Sequence, residues 1–118
     1  MITELEGMPQ GVIGFEASGT LRAEEYRDVL LPALERAAKD GDIRFVIVIP
    51  DFKGMSGGAI WEDLKVGFSH LRSWRRIALV TDIEWMSHLT SIFGWMTPGE
   101  TKVFHLEERD QALAWAAA

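Results

Sequence analysis

Ile43-Arg44-Phe45-Val46-Ile47-Val48-Ile49 is the stretch on which the fold turns. All of it but Arg44 is apolar, and most of it is β-branched. A short apolar run without polar alternation is the pattern of a strand covered on both faces, not of one with a side in water. Such a strand belongs in the middle of a sheet, and a sheet covered on both sides carries helices on both.

Upstream, Tyr26, Val29, Leu30, Ala33, Leu34, Ala37 and Ala38 recur at helical spacing over residues 22–39, and Gly41 follows as a stop. Pro32 lies inside this helix. It removes a backbone donor and crowds the preceding turn, but the periodicity continues past it, which predicts a kink and not an end. Residues 2–6 and 12–18 are strand-like runs around Gly7-Met8-Pro9-Gln10-Gly11, the chemistry of an antiparallel hairpin. Downstream, Ile60, Leu64, Gly67, Phe68 and Leu71 mark a second helix, and residues 77–80 form a second buried strand. Residues 85–96 read as a third helix, 102–106 as a strand and 107–117 as a closing helix. The order β-β-α-β-α-β-α-β-α predicts an α/β fold: a mixed, mostly parallel sheet with helical cover and one antiparallel pair near its start.

The 118 residues fit one domain, residues 1–118, and 47% hydrophobic with 25% charged residues is globular composition. Twelve basic against eighteen acidic side chains give −6, a field that repels nucleic acid and anionic membranes. There is no cysteine, which excludes disulfides, thiol catalysis and cysteine metal sites. The acidic start Met1-Ile2-Thr3-Glu4-Leu5-Glu6 is unlike a secretory signal, and residues 85–99 are too short and polar to span a bilayer. A cytoplasmic protein is expected.

Candidate chemistry gathers in Asp51-Phe52-Lys53-Gly54-Met55-Ser56-Gly57-Gly58, which joins a buried strand to a helix, where α/β folds bind ligands. Residues 54–58 fit G-x-S-x-G, the turn that presents a nucleophilic serine. A serine hydrolase could then draw on Ser56, Asp82 and His88 or His105. Residues 50–53 separate Ser56 from the strand, however, and the same serine reads as a cap or turn residue. Lys53 among glycines could hold a phosphate, but no Walker pattern accompanies it. His70, His88 and His105 have no metal-ligand spacing, Glu62-Asp63 suits the first turn of a helix, and no pattern implies a cofactor. Arg72, Arg75 and Arg76 read mainly as helix-end charge.

The most distinctive segment is Trp85 to Met96, which contains no formal charge. At helical spacing Trp85, Met86, Leu89, Ile92, Phe93 and Met96 form a broad apolar face, opposite Ser87, Thr90, Ser91 and Gly94. A water-facing helix normally carries Lys or Glu, so this pattern suits deep packing or contact with a subunit, a lipid or an apolar ligand.

The ordered set Gly19-Thr20-Leu21, Glu24-Glu25-Tyr26, Pro32, Asp51-Phe52-Lys53-Gly54 and Trp61-Glu62-Asp63 resembles the SpoIIAA-like branch of the STAS superfamily, whose fold is related to CRAL-TRIO lipid-transfer domains. Residues 76–80, Asp82, Trp85, Phe104, Ala112 and Trp115 continue the resemblance nearly end to end. It implies a non-enzymatic domain that works by binding. In classical STAS antagonists a serine opening the helix after the central strand is phosphorylated within Asp-Ser-Ser-Gly; here only Ser56-Gly57 matches, with Gly54 and Met55 ahead of it. Arg22 stands where the family often places a capping Thr.

The expected function is a non-catalytic, homodimeric binding or regulatory domain that engages a protein partner or a small apolar, lipid-like ligand. The expected surface comprises Phe52, Lys53, Ser56, Gly57, Trp61, Trp85, Phe93 and Met96. A serine hydrolase and a phosphate-responsive switch at Ser56 are the alternatives.

Overall fold

A computed structural model describes residues 1–57, 73–84 and 99–118. The second and third helices read from the sequence lie outside these residues.

The chain opens with β1 (Ile2–Glu4) and β2 (Val12–Ala17), antiparallel with Ile2 opposite Ala17, as the turn chemistry between them predicts. A short strand, β3 (Thr20–Arg22), leads directly into the first helix. That helix runs as α1 (Ala23–Glu25), a π turn over Tyr26–Leu30, and α2 (Leu31–Asp40). Pro32 does not end it, in keeping with the apolar periodicity. The reason for the π turn is local. Proline cannot donate to the carbonyl four residues back and its ring crowds that carbonyl, so the preceding turn widens and Leu31 N–H bonds to Tyr26 O, five residues back.

β4 (Ile43–Val48), β6 (Trp74–Val80) and β7 (Glu100–Phe104) complete a five-stranded sheet in the order β1-β2-β4-β6-β7, in which every pair after the first is parallel. β4, apolar but for Arg44, is thus its middle strand. A second, two-stranded sheet pairs β3 with β5 (Gly54–Ser56) in parallel, with Arg22 opposite Ser56. The sequence predicts a loop at residues 54–56. Three residues rich in Gly and Ser have no strand propensity, and only pairing with β3 extends them. The chain closes with a 3₁₀ turn (Leu106–Glu108) and α3 (Arg109–Ala117).

Alternation along the strands builds two cores. On one face Phe15, Ile43, Phe45 and Trp74 pack with Leu30, Ala33 and Leu34 of the first helix. On the other, Val46, Val48, Ala78, Val80 and Phe104 pack with Ala112 and Ala116 of α3. Phe15, Leu34, Ile43, Val46 and Val80 are wholly enclosed, and each such side chain contributes about 1.5–3 kcal/mol of transfer free energy.

One irregularity redirects the register. Ile43 pairs with Trp74 but Arg44 pairs with Arg76, so Arg75 is an extra residue on β6. The bulge lets Trp74 join one core while Arg76, two residues on, reaches α3 on the opposite face. This corrects the reading of Arg75 and Arg76 as helix-end charge: both lie in β6, which starts three residues earlier than the apolar run 77–80 suggested.

Candidate binding site at the carboxyl end of the sheet

Every parallel strand delivers its following loop to the same end of the sheet, and in open α/β sheets this end receives ligands. Two carboxylates organise it. Asp51, shortly after β4, accepts a hydrogen bond from Gly19 N–H at 2.5 Å through Oδ1, and Lys53 N–H donates to Gly19 O at 2.9 Å. The loop after β4 is thereby sewn to the loop after β2. Asp82, shortly after β6, accepts from Leu106 N–H at 3.1 Å, and the same oxygen lies 3.2 Å from His105 Nδ1. The loop after β6 is sewn to the segment after β7. Between them the buried Thr81 donates its hydroxyl to Ile49 O at 2.8 Å and accepts from Ile83 N–H at 3.2 Å.

On the first lip, Phe52 is half-buried and packs against the core beneath, while Lys53 and Ser56 are exposed. Gly57 has φ +85°, and a Cβ there would sit 2.9 Å from the Ala23 Cβ, so a glycine is what lets this strand approach the start of the first helix. Arg22, at that helix's N-cap, makes no side-chain cap, as expected of an arginine in place of threonine.

The structure therefore brings Phe52, Lys53, Ser56 and Gly57 onto one ledge. Trp61, Trp85, Phe93 and Met96 lie outside the described residues, as do His70 and His88. Of the residues considered for a hydrolase, Asp82 and His105 meet, both exposed, at the β6–β7 edge. Ser56 stands on the other flank, in register with Arg22 on β3. Among the described residues no three His, Asp or Glu side chains gather to hold a metal ion, and no helix is long and apolar enough to cross a membrane. The tying roles of Asp51, Thr81 and Asp82 do not follow from the sequence pattern alone. The available signal is a short polar residue within three positions of the end of each buried strand, the usual source of side-chain bonds to neighbouring backbone.

A mixed, mostly parallel five-stranded sheet with a helix packed on each face, entered through an antiparallel pair, defines an α/β domain of the STAS-like class. Residues 12–117 match the SpoIIAA-like family, and the chain belongs to it. A solved structure, that of an uncharacterized DUF3478-family protein with a SpoIIAA-like fold from Shewanella loihica PV-4, is 32% identical. It superposes with a TM-score of 0.75 over 98% of this chain and 93% of its own. No curated protein matches the chain.

Proposed function

We propose that the chain is a non-catalytic binding or regulatory domain of the cytoplasm, acting as a homodimer that engages a protein partner or a small apolar, lipid-like ligand. The observation that carries this reading is the ledge at the carboxyl end of the sheet. Asp51 and the Lys53 amide fix its loop to Gly19, so Phe52, Lys53, Ser56 and Gly57 are presented on a braced backbone. A braced surface loses little conformational entropy when it binds. The run Trp85 to Met96, which carries no formal charge, supports an apolar contact.

Native mass spectrometry of the purified chain tests the reading, because it reports assembly and retained ligand together. A dimer, or a monomer carrying an apolar molecule, supports it. A bare monomer at concentrations near those in the cell overturns it.

One contact favours the hydrolase alternative, the approach of His105 to Asp82. That reading also requires Ser56 to be the proton donor to His105. A fluorophosphonate probe separates the two: the binding reading expects no adduct on Ser56, and the hydrolase reading expects one. A phosphate at Ser56 would stand at the start of the first helix, opposite Arg22 and near Glu24 and Glu25, so that attraction and repulsion oppose each other there.

A further inference from the structure

The opposite end of the sheet holds a second hollow. Between the first residues of β2 and the last two turns of α2 lies an open cleft of about 290 Å³. Its apolar wall is Ile13 on one side and Ala37 on the other, with the buried Ala33 beneath and Gly11 and Val12 contributing at the rim. The small Ala37, one helical turn after the buried Ala33, is the reason for the space: a larger side chain there would fill it.

Three charged side chains rim this wall: Arg36, Asp40 and Asp42. None has a hydrogen-bond or ion-pair partner among the described residues, although Arg36 and Asp40 are one turn apart on α2. The charges are also ordered along the helix. Asp40 and Asp42 bracket its carboxyl end, where the backbone carbonyls and the helix dipole favour a cation, and Arg36 stands a turn earlier. A lone anion would meet two carboxylates and a chain of net charge −6; a lone cation would leave Arg36 unmatched. A molecule carrying both signs beside an aliphatic body satisfies all three.

We propose that this cleft binds a small zwitterionic ligand with an aliphatic side chain, of the aliphatic α-amino acid class. The ammonium lies towards Asp40 and Asp42, the carboxylate towards Arg36, and the side chain against Ile13 and Ala37. The site shares no residue with the ledge at the carboxyl end, so either can fail without the other.

The probe is L-leucine, titrated into the intact ¹⁵N-labelled chain and followed by amide chemical shifts. Saturable shifts centred on Gly11, Val12, Ala37 and Gly41 are expected, with a dissociation constant on the order of millimolar. Leucinamide, which lacks the carboxylate, and 4-methylpentanoate, which lacks the ammonium, should each bind about tenfold more weakly. Arg36→Ala should cost about tenfold for leucine and nothing for leucinamide, a pattern that a fold defect would not produce. Ala37→Leu should abolish binding; its amide spectrum reports whether the fold survives, and the exposed Arg36 variant carries the test if it does not. Absence of saturation at about 20 mM, shifts centred elsewhere, or equal affinity for leucine and leucinamide overturns the proposal.

Discussion

Arg44 and Arg76 are cross-strand neighbours on β4 and β6, and their guanidinium groups donate to consecutive carbonyls at the end of α3, Arg44 to Ala116 at 2.8 Å and Arg76 to Trp115 at 2.6 Å. A helix end leaves carbonyls without intrahelical partners and carries partial negative charge, so two cations here complete the hydrogen bonding and offset the dipole. Arg76 also lies over the Trp115 ring, 4.9 Å from its centre. Arg76→Ala should destabilise the fold by about 2 kcal/mol, and Arg76→Lys should recover less than half of that, because an ammonium cannot both lie on the ring and reach the carbonyl. Urea unfolding measures both. A lysine variant as stable as the parent would show that charge alone matters.

At the other helix start the cap is missing. Arg22 has the extended backbone of an N-cap, φ −97° and ψ 127°, but no side-chain oxygen to accept the free amides of the first turn. Arg22→Ser should therefore raise stability by about 1 kcal/mol, and Arg22→Ala should not. Thermal melts of the two variants decide it: equal midpoints would mean that water already satisfies those amides.

How much of this was legible in the sequence depends on where each interaction is made. The central strands β4 and β6 follow from apolar runs, because a strand's burial is written in its own residues. Pro32 is legible as a disturbance of the first helix, but not as a π turn, since widening or bending depends on which residues must still reach the core. Tyr26 and Leu30, at the two ends of that turn, are both buried. The pairing of β3 with β5 is invisible in residues 54–56 because the partner supplies the extension. The bulge at Arg75 is likewise decided by competition: Trp74 is drawn to one face by Phe45, its edge-on neighbour at 6.2 Å, and Arg76 to the other by Trp115. At the site, residue identities were legible, whereas the sewing of Asp51 to Gly19 and Asp82 to Leu106 depends on strands that are distant in sequence.

Gly57 is the point where the ledge touches the first helix, and two separate costs meet any side chain there. The backbone is in the left-handed region, and a Cβ would come within 2.9 Å of the Ala23 Cβ. Gly57→Ala should cost about 1–3 kcal/mol. A double-mutant cycle with Ala23→Gly separates the terms: relief of the contact should appear as a favourable coupling of about 1 kcal/mol, with the backbone cost remaining. Additive effects would mean that the helix start moves aside freely and that the ledge is not braced against it.

The chain's single tyrosine gives an optical handle on the first helix. Tyr26 is 8% exposed, and burial, with a smaller contribution from the Glu25 carboxylate, pushes its phenol up to about 12 from 10.0. The folded chain therefore holds its phenolic proton over a range in which the unfolded chain has released it. Stability from this group is fully present below pH 10 and is lost as pH rises towards 12, on the order of 2–3 kcal/mol in all. Phenolate absorbance should stay low until circular dichroism reports unfolding, and the two transitions should coincide. Tyr26→Phe keeps the ring and removes the proton, so its unfolding midpoint should lie at higher pH than the parent's. Titration of the phenol near pH 10 in a chain that remains folded would show instead that the hydroxyl reaches water, and that the π turn does not bury it.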